Sequence, residues 1–286
     1  MDERSGLALV GRSLPAAGDD AAVVDDLLVT TDMLHETTDF PEGTTRYTAG
    51  WRAVAASLSD VAAMGASARC AVAVYAAPRF DGDELGAFLD GAQAVCASVD
   101  AEYVGGDLDD HEEFTVATTA IGRTDDPVRR SGATPGEAVC VTGTLGRTAA
   151  AIRLFPDDPD RANDLFQFPP RVPAGRALAP HASAMMDSSD GLARSLHQLS
   201  EASDCGFAVD SATLPVDEAV EAVAEDEADR RELATHYGED FELVFTTDAP
   251  AAAQAASPTP VTQVGEVTES SITMNGEPLP DRGYTH

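Results

Sequence analysis

Five short acidic motifs hold the residues of this chain that are best suited to chemistry. In each motif an aspartate accompanies glycine, serine or threonine, and the motifs GDD, TTD, SLSD, GGD and DSSD end at Asp20, Asp32, Asp60, Asp107 and Asp190. Carboxylates in such company, at strand ends or tight turns, are typical oxygen ligands of a hard cation. The sequence therefore predicts a Mg²⁺ site that is assembled from distant parts of the chain.

The basic residues limit the ways in which this chain could hold a phosphate. The sequence contains no lysine, and all 18 basic residues are arginine. P-loop proteins and protein kinases both use a lysine to hold the nucleotide phosphates. If this protein handles ATP, metal ions and arginines must take that role.

The overall charge excludes several partners. The formal net charge is −32 at pH 7, and such a surface repels nucleic acid and anionic lipid because phosphate binding requires clustered basic residues. An acidic, lysine-free surface suits a protein dissolved in molar salt, where screening weakens self-repulsion, so we expect a halophile as the source. The alternative, a disordered acidic protein, is disfavoured by a hydrophobic content of 43%.

The cysteines and the N-terminus indicate where the protein works. Cys70, Cys96, Cys140 and Cys205 are far apart without CxxC spacing, so neither a zinc site nor a disulfide framework is predicted. The first residues include no apolar stretch, and the longest apolar run, residues 70–78, is too short to cross a bilayer. We expect a cytoplasmic protein without nucleic-acid or membrane partners.

Helix and strand patterns alternate along the chain, which predicts a mixed α/β class. Residues 44–64 predict a helix that is capped by Thr44 or Thr45 and has Asp60 near its end. The other elements predicted in the first half are a hairpin at 21–24 and 27–31, a strand at 70–76, a helix at 83–98, and strands at 103–104 and 114–121.

A junction between two domains is predicted at residues 124–137, which are rich in Asp, Pro, Gly and Arg. The pattern then restarts. The predicted elements are a strand at 138–142, a turn at 143–146, the start of a helix at 147–154, a strand at 182–186, a helix at 190–202, a solvated helical face over 217–232 and a strand at 241–246.

The motif DSSDGL, residues 187–192, closes a predicted strand and opens a helix. A helix N-terminus offers free N–H groups to phosphate oxygens, while carboxylates beside it could hold a metal. Alone, the motif is more typical of simple helix caps at Asp187 and Asp190 than of a metal or phosphate site. GEDFEL at 238–243 repeats the arrangement, which favours a functional role.

Nine motifs together resemble one known family. In chain order they are GDDAAV, TTDMLHETTDF, SLSDVAAMGA, VGGDL, RRSGATPGE, VTGTLG, DSSDGL, GEDFEL and the terminal RGYTH. Their order and spacing resemble those of thiamine-monophosphate kinase, a member of the superfamily named after aminoimidazole ribonucleotide synthetase. The resemblance covers residues 18–286.

The resemblance implies a two-domain α/β fold of the aminoimidazole ribonucleotide synthetase type. Residues 1–133 would form an N-terminal ATP- and metal-binding domain that dimerises through its sheet, and residues 134–286 a C-terminal domain that closes the nucleotide and substrate cleft. It also implies direct transfer of the ATP γ-phosphoryl group to thiamine monophosphate, giving thiamine diphosphate, the last step of that biosynthesis. The cofactors would be several Mg²⁺ ions, with a K⁺ requirement left open, and the protein would be a homodimer.

The resemblance further implies roles for individual residues. The ligands of Mg²⁺ would be Asp20, Thr30, Thr31, Asp32, Asp60, Asp107, Asp187 and Asp190. The contacts to ATP would be Gly106, Asp107, Arg130 and Ser189. Catalysis would depend on Asp32, Asp107, Asp190 and Arg130, and the contacts to the thiamine moiety would be Glu239 and Tyr284.

The implied reaction explains why no catalytic histidine is evident. Donor and acceptor are both polyanions, so the approach of the attacking oxygen is opposed mainly by charge, which divalent cations relieve. A phosphate monoester with a second pKa near ~6 is already largely dianionic at neutral pH and needs positioning rather than a base. Arg130 would add a fixed positive charge.

One position departs from the family pattern. The family carries a histidine seven residues after the TTD aspartate, in contact with substrate, and this chain has Asp39 there, before Phe40. A carboxylate cannot replace an imidazole toward a phosphate, although it could favour the positive thiazolium ring or bind a metal. Asp39 is therefore a candidate substrate contact, and His35 a candidate substitute for the missing histidine.

Four alternatives differ in what they predict. A selenophosphate synthetase should carry a reactive cysteine near its N-terminus, and the hydrogenase-maturation member should end in cysteine; here the first cysteine is Cys70 and the chain ends in GYTH. Aminoimidazole ribonucleotide synthetase is disfavoured by GEDFEL and the terminal aromatic residue. A catalytically silent metal-binding homologue is supported only by Asp39.

Overall fold

A computed structural model describes residue 6 and residues 9–11, 13–14 and 16–283. In this part of the chain, an N-terminal sheet and a C-terminal sheet each pack against helices. No helix among the described residues is long and apolar enough to cross a membrane.

The N-terminal sheet has five strands in the order β1-β2-β5-β3-β4. The strands are β1 Ala22–Val24, β2 Leu27–His35, β3 Ser67–Ala77, β4 Glu102–Asp110 and β5 Thr115–Arg123, and the helices of this region are α1 Glu36–Asp39, α2 Arg46–Ala63 and α3 Gly82–Ala97. Only β3 and β4 are parallel, because α3 forms the crossover between them. The predicted hairpin and both long helices are confirmed.

Helices α2 and α3 cover one face of this sheet, and their contact depends on two glycines. A Cβ on Gly50 would overlap the Phe88 carbonyl oxygen, and one on Gly91 would overlap the Tyr47 carbonyl oxygen. Glycine therefore allows the two backbones to approach closely. The opposite face of the sheet, which we call the open face, carries exposed apolar side chains, among them Met33 and Val74.

The C-terminal sheet has seven strands in the order β12-β11-β8-β10-β6-β9-β7. The strands are β6 Ala138–Thr142, β7 Ala184–Asp187, β8 Gly206–Val209, β9 Leu243–Thr247, β10 Val261–Thr268, β11 Ile272–Met274 and β12 Glu277–Pro278. The helices are α4 Arg147–Leu154, α5 Pro159–Phe166, α6 Val172–Leu178, α7 Leu192–Ser203, α8 Glu227–His236 and α9 Pro250–Ala256.

Helix α2 connects the two halves of the molecule. It is buried on almost every side rather than on the single face that the sequence pattern predicted. Leu58 belongs to the same buried cluster as Phe166, Leu178 and Phe245 of the C-terminal region, and the Trp51 indole donates to the Phe168 carbonyl oxygen at 2.7 Å. The two regions therefore share one hydrophobic core.

Two sequence-based boundaries are wrong. TTD and GGD were expected at strand ends, but β2 continues to His35 and β4 to Asp110. Pairing of β2 with β5 and of β4 with β3 extends both strands past these polar motifs, because tertiary pairing outweighs local propensity. The acidic segment 217–232 is not one helical face. Asp217 and Asp226 accept backbone N–H bonds, from Ala219 and Asp229 at 2.9 Å each. Asp217 thus starts a short turn, and Asp226 separately caps the helix α8.

Candidate active site

A cleft of about 360 Å³ lies where the two regions meet. Its lining includes Asp32 of β2 and Arg52 of α2 from the N-terminal side, Arg130 of the junction, and Ser189, Asp190 and Glu239 from the C-terminal side. Residues predicted from four separate motifs thus line one space.

Three carboxylates gather beside this cleft, each held by a different element. Asp20 precedes β1, Asp60 lies in the last turn of α2, and Asp187 ends β7. One carboxylate oxygen from each lies within 4.8 Å of those of the other two. We call these residues the aspartate cluster, and they confirm that distant motifs meet in space.

Electrostatics and burial show what the aspartate cluster is suited to hold. Burial raises the pKa of Asp60 well above its usual value, and Asp32, Asp187 and Asp20 raise it further. Burial, followed by Asp20, likewise raises the pKa of Asp187. Asp187 Oδ2 is buried without a hydrogen-bond partner among the described residues. Crowded carboxylates with an unpartnered oxygen are the donor set of a hard divalent cation, so the cluster fits Mg²⁺.

Hydroxyl groups orient the neighbouring carboxylates. The Thr30 hydroxyl donates to Asp60 Oδ2. Ser57 Oγ donates to Asp32 Oδ2 at 2.5 Å and lies 2.7 Å from Thr118 Oγ1. Ser57 was not predicted from the sequence, although its position three residues before Asp60 on α2 places both on one helix face.

Arg130 is bound to the aspartate cluster. Its Nη2 donates to Asp20 Oδ1 at 2.8 Å, and its Nε to Asp20 Oδ2 at 3.3 Å. Burial alone lowers the pKa of Arg130, but the carboxylates of Asp20, Asp187 and Asp60 outweigh that effect and raise it. The guanidinium is therefore a permanent positive charge at the edge of the cluster.

Three predicted residues lie away from the cluster within one chain. Along the sheet, Asp32 pairs with Thr118, Thr118 with Ala73, and Ala73 with Gly106. Three strand-to-strand steps amount to roughly 14 Å. Asp107 is exposed on the edge strand β4, and Thr31 is exposed with its hydroxyl bonded to the Thr118 carbonyl oxygen at 2.8 Å. Gly106, Asp107 and Thr31 therefore do not join the aspartate cluster in a single chain.

A second cavity, of about 380 Å³, adjoins Gly106 and Asp107. Tyr75, Leu85 and Tyr103 contribute to its largely apolar lining. Apolar walls beside a few polar groups are typical of a pocket for a flat aromatic ligand.

The DSSDGL and GEDFEL motifs form one paired structure. Glu239 N donates to Ser189 O at 2.5 Å, and Phe241 N to Ser188 O at 3.1 Å. Gly238, at φ +80°, packs so closely on Ser189 that a Cβ would meet the Ser189 carbonyl oxygen. Helix α7 then begins at Leu192, directly after its N-cap residue Gly191. Asp187 ends β7 and belongs to the aspartate cluster, whereas the cap of α7 is Gly191.

Two carboxylates of GEDFEL anchor this structure. Asp240 Oδ1 and Oδ2 accept the Thr148 and Gly146 N–H groups at 2.9 and 2.5 Å, at the start of α4. Burial raises the pKa of Asp240 to about 7. Glu242 forms a two-point ion pair with Arg171. These anchors were not predicted, because their partners are remote in sequence.

A buried arginine completes the anchoring. Arg52 of α2 donates to Glu239 Oε2 at 2.8 Å, and its side chain is fully buried. No motif singled it out. The sequence signal was weak: a charged residue between Trp51 and Ala53 in the first half of α2.

The remaining candidates are placed as follows. Asp39 is buried at the end of α1, where its Oδ2 accepts His35 N at 2.7 Å and Thr38 Oγ1 at 2.8 Å; its role as a substrate contact stays a prediction. His35 lies with Nδ1 3.0 Å from Thr115 Oγ1. Tyr284 lies outside the described residues.

Two family models match the chain. The AIR synthase related protein, N-terminal domain, matches residues 18–124, and the corresponding C-terminal domain matches residues 134–275. The fold and its acidic cleft therefore define an AIR synthase related protein. A thiamine-monophosphate kinase from Halobacterium salinarum is 61% identical over 291 residues, which cover 100% of both chains. The chain belongs to the thiamine-monophosphate kinase family.

Two further comparisons agree. A thiamine-monophosphate kinase from Methanospirillum hungatei is 41% identical, over 100% of this chain and 99% of its own. The solved structure of AaThiL, complexed with AMPPCP and TMP, superposes with a TM-score of 0.90 at 27% identity, over 99% of this chain and 96% of its own. The fold and the family expected from the motifs are confirmed.

Proposed function

We propose that this protein transfers the γ-phosphoryl group of ATP to thiamine monophosphate and forms thiamine diphosphate. The observation that carries the proposal is the aspartate cluster with its unpartnered Asp187 oxygen, beside a cleft lined by Arg130, Ser189 and Asp190. Two polyanions can meet only where positive charge is concentrated, and this cleft is built to concentrate cations.

Asp20, Asp60 and Asp187 would hold Mg²⁺, with Thr30 and Asp32 beside them. When bound, Mg²⁺ supplies positive charge that offsets the repulsion between the two substrates and stabilises charge on the transferred group. Asp190 lines the cleft on the same side and is a further candidate ligand. The whole set, including Asp107 and Thr31, awaits a test.

The other residues of the cleft bind and orient the substrates. Arg130 contributes a fixed charge, and the N–H groups of its guanidinium beyond those donated to Asp20 suit a phosphate oxygen. The free N–H groups at the start of α7, beside Ser189, favour a second phosphate. The cavity at Gly106 suits the adenine base. Glu239 suits the positively charged thiamine moiety.

No side chain is needed as a strong base. The acceptor is a phosphate monoester, which with a second pKa near ~6 is largely dianionic at neutral pH. The protein therefore acts by alignment and charge stabilisation, which together account for most of the catalysis in phosphoryl transfer.

The working form that we propose is a cytoplasmic homodimer. Supporting this, Met33 and Val74 on the open face, and Val104 on the edge strand β4, are 58%, 40% and 57% exposed, and apolar patches of this kind mark protein interfaces. Packing two open faces together would give Thr31 and Asp107 a neighbouring subunit. That contact would explain why neither residue joins the cluster within one chain.

The test is formation of thiamine diphosphate from thiamine monophosphate and Mg²⁺-ATP in molar KCl, with the substrates of aminoimidazole ribonucleotide synthetase assayed in parallel. We expect product from the first pair alone. Product from the second pair would replace the proposal with the sister activity. Tight Mg²⁺-ATP binding without turnover of either pair would identify a silent homologue.

A further inference from the structure

One arginine of helix α2, Arg52, extends from the N-terminal region to the cleft. Arg52 has a side-chain exposure of 0%, yet it also contributes to the lining of the cleft next to Glu239 and Phe241. A buried charge is costly unless its hydrogen bonds are satisfied. The hydrogen-bond partners of Arg52 therefore indicate which residue it positions.

Most of those partners belong to one residue. Arg52 Nη2 donates to the backbone oxygen of Glu239 at 3.1 Å and to its Oε2 at 2.8 Å. Arg52 Nη1 donates to the Phe166 carbonyl oxygen at 2.8 Å. Arg52 thus fixes both the main chain and the side chain of Glu239.

Glu239 has a backbone conformation that needs such support. Its φ is +63°, in the left-handed region that a non-glycine residue adopts only when its surroundings impose it. Thr148 Oγ1 also donates to the Glu239 carbonyl oxygen, at 2.6 Å. Glu239 Oε1 accepts no hydrogen bond from the described part of the chain, and the residue lines the cleft. Arg52 thus holds Glu239 Oε2 in place, and Glu239 Oε1 can accept a hydrogen bond from a ligand.

An aromatic layer makes the position specific for arginine. The Arg52 guanidinium carbon lies 3.7 Å from the centroid of the Phe166 ring. Beyond it, Phe168 and Phe241 stack at 4.2 Å with an interplanar angle of 13°. A planar guanidinium can stack on a ring while it donates sideways to two acceptors, whereas an ammonium group is a single point on a flexible stem.

We propose that Arg52 is a positioning residue, which presents Glu239 Oε1 to the thiamine moiety of the acceptor. The inference rests on the proposed function, because it takes the thiamine moiety as the ligand of Glu239. A carboxylate suits this ligand, since the moiety combines a positively charged ring with an amino group that can donate a hydrogen bond. Arg52 accordingly determines affinity for the acceptor and leaves the transfer step unchanged.

The decisive variant is Arg52→Lys, with Arg153→Lys as the matched control. Arg153 makes a two-point pair with Asp229 at 2.5 and 2.7 Å on the surface of α4, away from the cleft. For Arg52→Lys we expect KM and Kd for thiamine monophosphate to rise about tenfold or more, while kcat and KM for ATP stay within about twofold. Arg153→Lys should change none of these.

A double-mutant cycle with Glu239→Gln separates positioning from general stabilisation. If Arg52 acts through Glu239, the double variant binds thiamine monophosphate no more weakly than Glu239→Gln alone. The inference would be overturned if the losses of affinity for thiamine monophosphate in the two single variants added up in the double variant. It would also be overturned if Arg52→Lys raised KM for ATP equally, lowered kcat, or left the affinity for thiamine monophosphate unchanged. If Arg52→Lys fails to fold, Phe166→Leu is the alternative variant, because it removes the ring beside the guanidinium. It should raise the Kd for thiamine monophosphate by a smaller factor than Arg52→Lys, and an unchanged Kd in Phe166→Leu would overturn the inference.

Kd is measured by equilibrium dialysis of thiamine monophosphate in molar KCl, so the result does not depend on turnover. Wild-type protein that binds thiamine monophosphate but does not phosphorylate it would overturn the proposed function and leave the Arg52 comparison valid. Wild-type protein that binds none would overturn both.

Discussion

Arg130 and Asp20 form a two-point ion pair that ties the loop before the first strand to the junction between the two regions. The adjacent Asp19 repeats the connection, because its Oδ1 accepts Arg130 N at 2.9 Å and its Oδ2 accepts Arg129 Nη1 at 2.8 Å. One member of the aspartate cluster is thus placed by the junction, another by α2, and the third by β7. The cluster can form only when both regions are folded.

Replacing Asp187 by Asn should abolish activity without unfolding the protein. The substitution removes a buried negative charge that is repelled by Asp20, so in EDTA the thermal midpoint should stay the same or rise. Thiamine diphosphate formation should fall by about 100-fold or more, because a cation ligand is lost. Asp83→Asn, at an exposed position in α3, is the control and should match wild type in both assays. An active Asp187→Asn enzyme, or one unfolded in EDTA, would contradict the assigned role.

Asp240 should make stability depend on pH. Burial raises its pKa to about 7 in the folded state, against ~3.9 for an unperturbed aspartate. The folded state therefore binds this proton more tightly, and the contribution to the free energy of unfolding is full below pH ~4 and is lost as the pH rises toward 7. Urea unfolding of wild type and Asp240→Asn, from pH 4 to 8 at fixed KCl in EDTA, isolates the effect. The difference between the two curves should fall with rising pH; a flat difference would refute the assignment.

High salt should stabilise the protein. A net charge of −32 on 286 residues produces self-repulsion that is screened over about 3 Å at 1 M salt, compared with about 10 Å at 0.1 M. The thermal midpoint and the activity should both rise from dilute buffer toward molar KCl. A calorimetric series in KCl, repeated in NaCl, separates general screening from any specific effect of K⁺. Greatest stability in dilute buffer would exclude the halophilic interpretation.

The contact between α2 and α3 should tolerate no added methyl group at Gly91. A Cβ there would overlap the Tyr47 backbone, which cannot move without separating the helices. Gly91→Ala should cost about 3 kcal/mol of unfolding free energy, a typical value for overpacking. Gly86→Ala lies in the same helix with nothing within 4 Å of the new Cβ, and should stabilise by about 0.5–1 kcal/mol. Denaturant unfolding of the two variants compares them directly, and similar effects in both would refute the close contact.

The open face should be the dimer interface. Val74→Asp places a charge among the apolar side chains of that face, where burying it would be costly. Light scattering in molar KCl should show a dimer for wild type and a monomer for Val74→Asp. Ala252→Asp, at an exposed position in α9, adds the same charge elsewhere and should remain dimeric. A Val74→Asp protein that is still dimeric would place the interface on another surface.

The sequence was sufficient for the family and for the meeting of distant aspartates, because the motifs carry those residues explicitly. It was less informative about β10, which lies between β8 and β6 yet was not predicted. Residues 261–268 read VTQVGEVT, and a strand interrupted by glycine and charge gives a weak pattern. Tertiary pairing, rather than local propensity, makes this segment a strand.

The supporting residues of the site were missed for a different reason. Arg52, Asp240 and Glu242 act on partners that are 187, 94 and 71 positions away in the chain. A motif records spacing along the sequence, and such pairs have no fixed local spacing. Only the folded chain reveals that the GEDFEL carboxylates hold a loop in place, in addition to the substrate contact that we propose for Glu239.

The hydrophobic core shared by the two family domains has a consequence for how the molecule denatures. Leu58 and Phe245 lie in one buried cluster although they belong to different domain models, so neither domain keeps a complete interior when its partner unfolds. Two independent melting transitions are therefore not expected. The chain should unfold as a single cooperative unit, and a polypeptide cut between residues 124 and 134 should yield fragments that are folded together and unfolded apart.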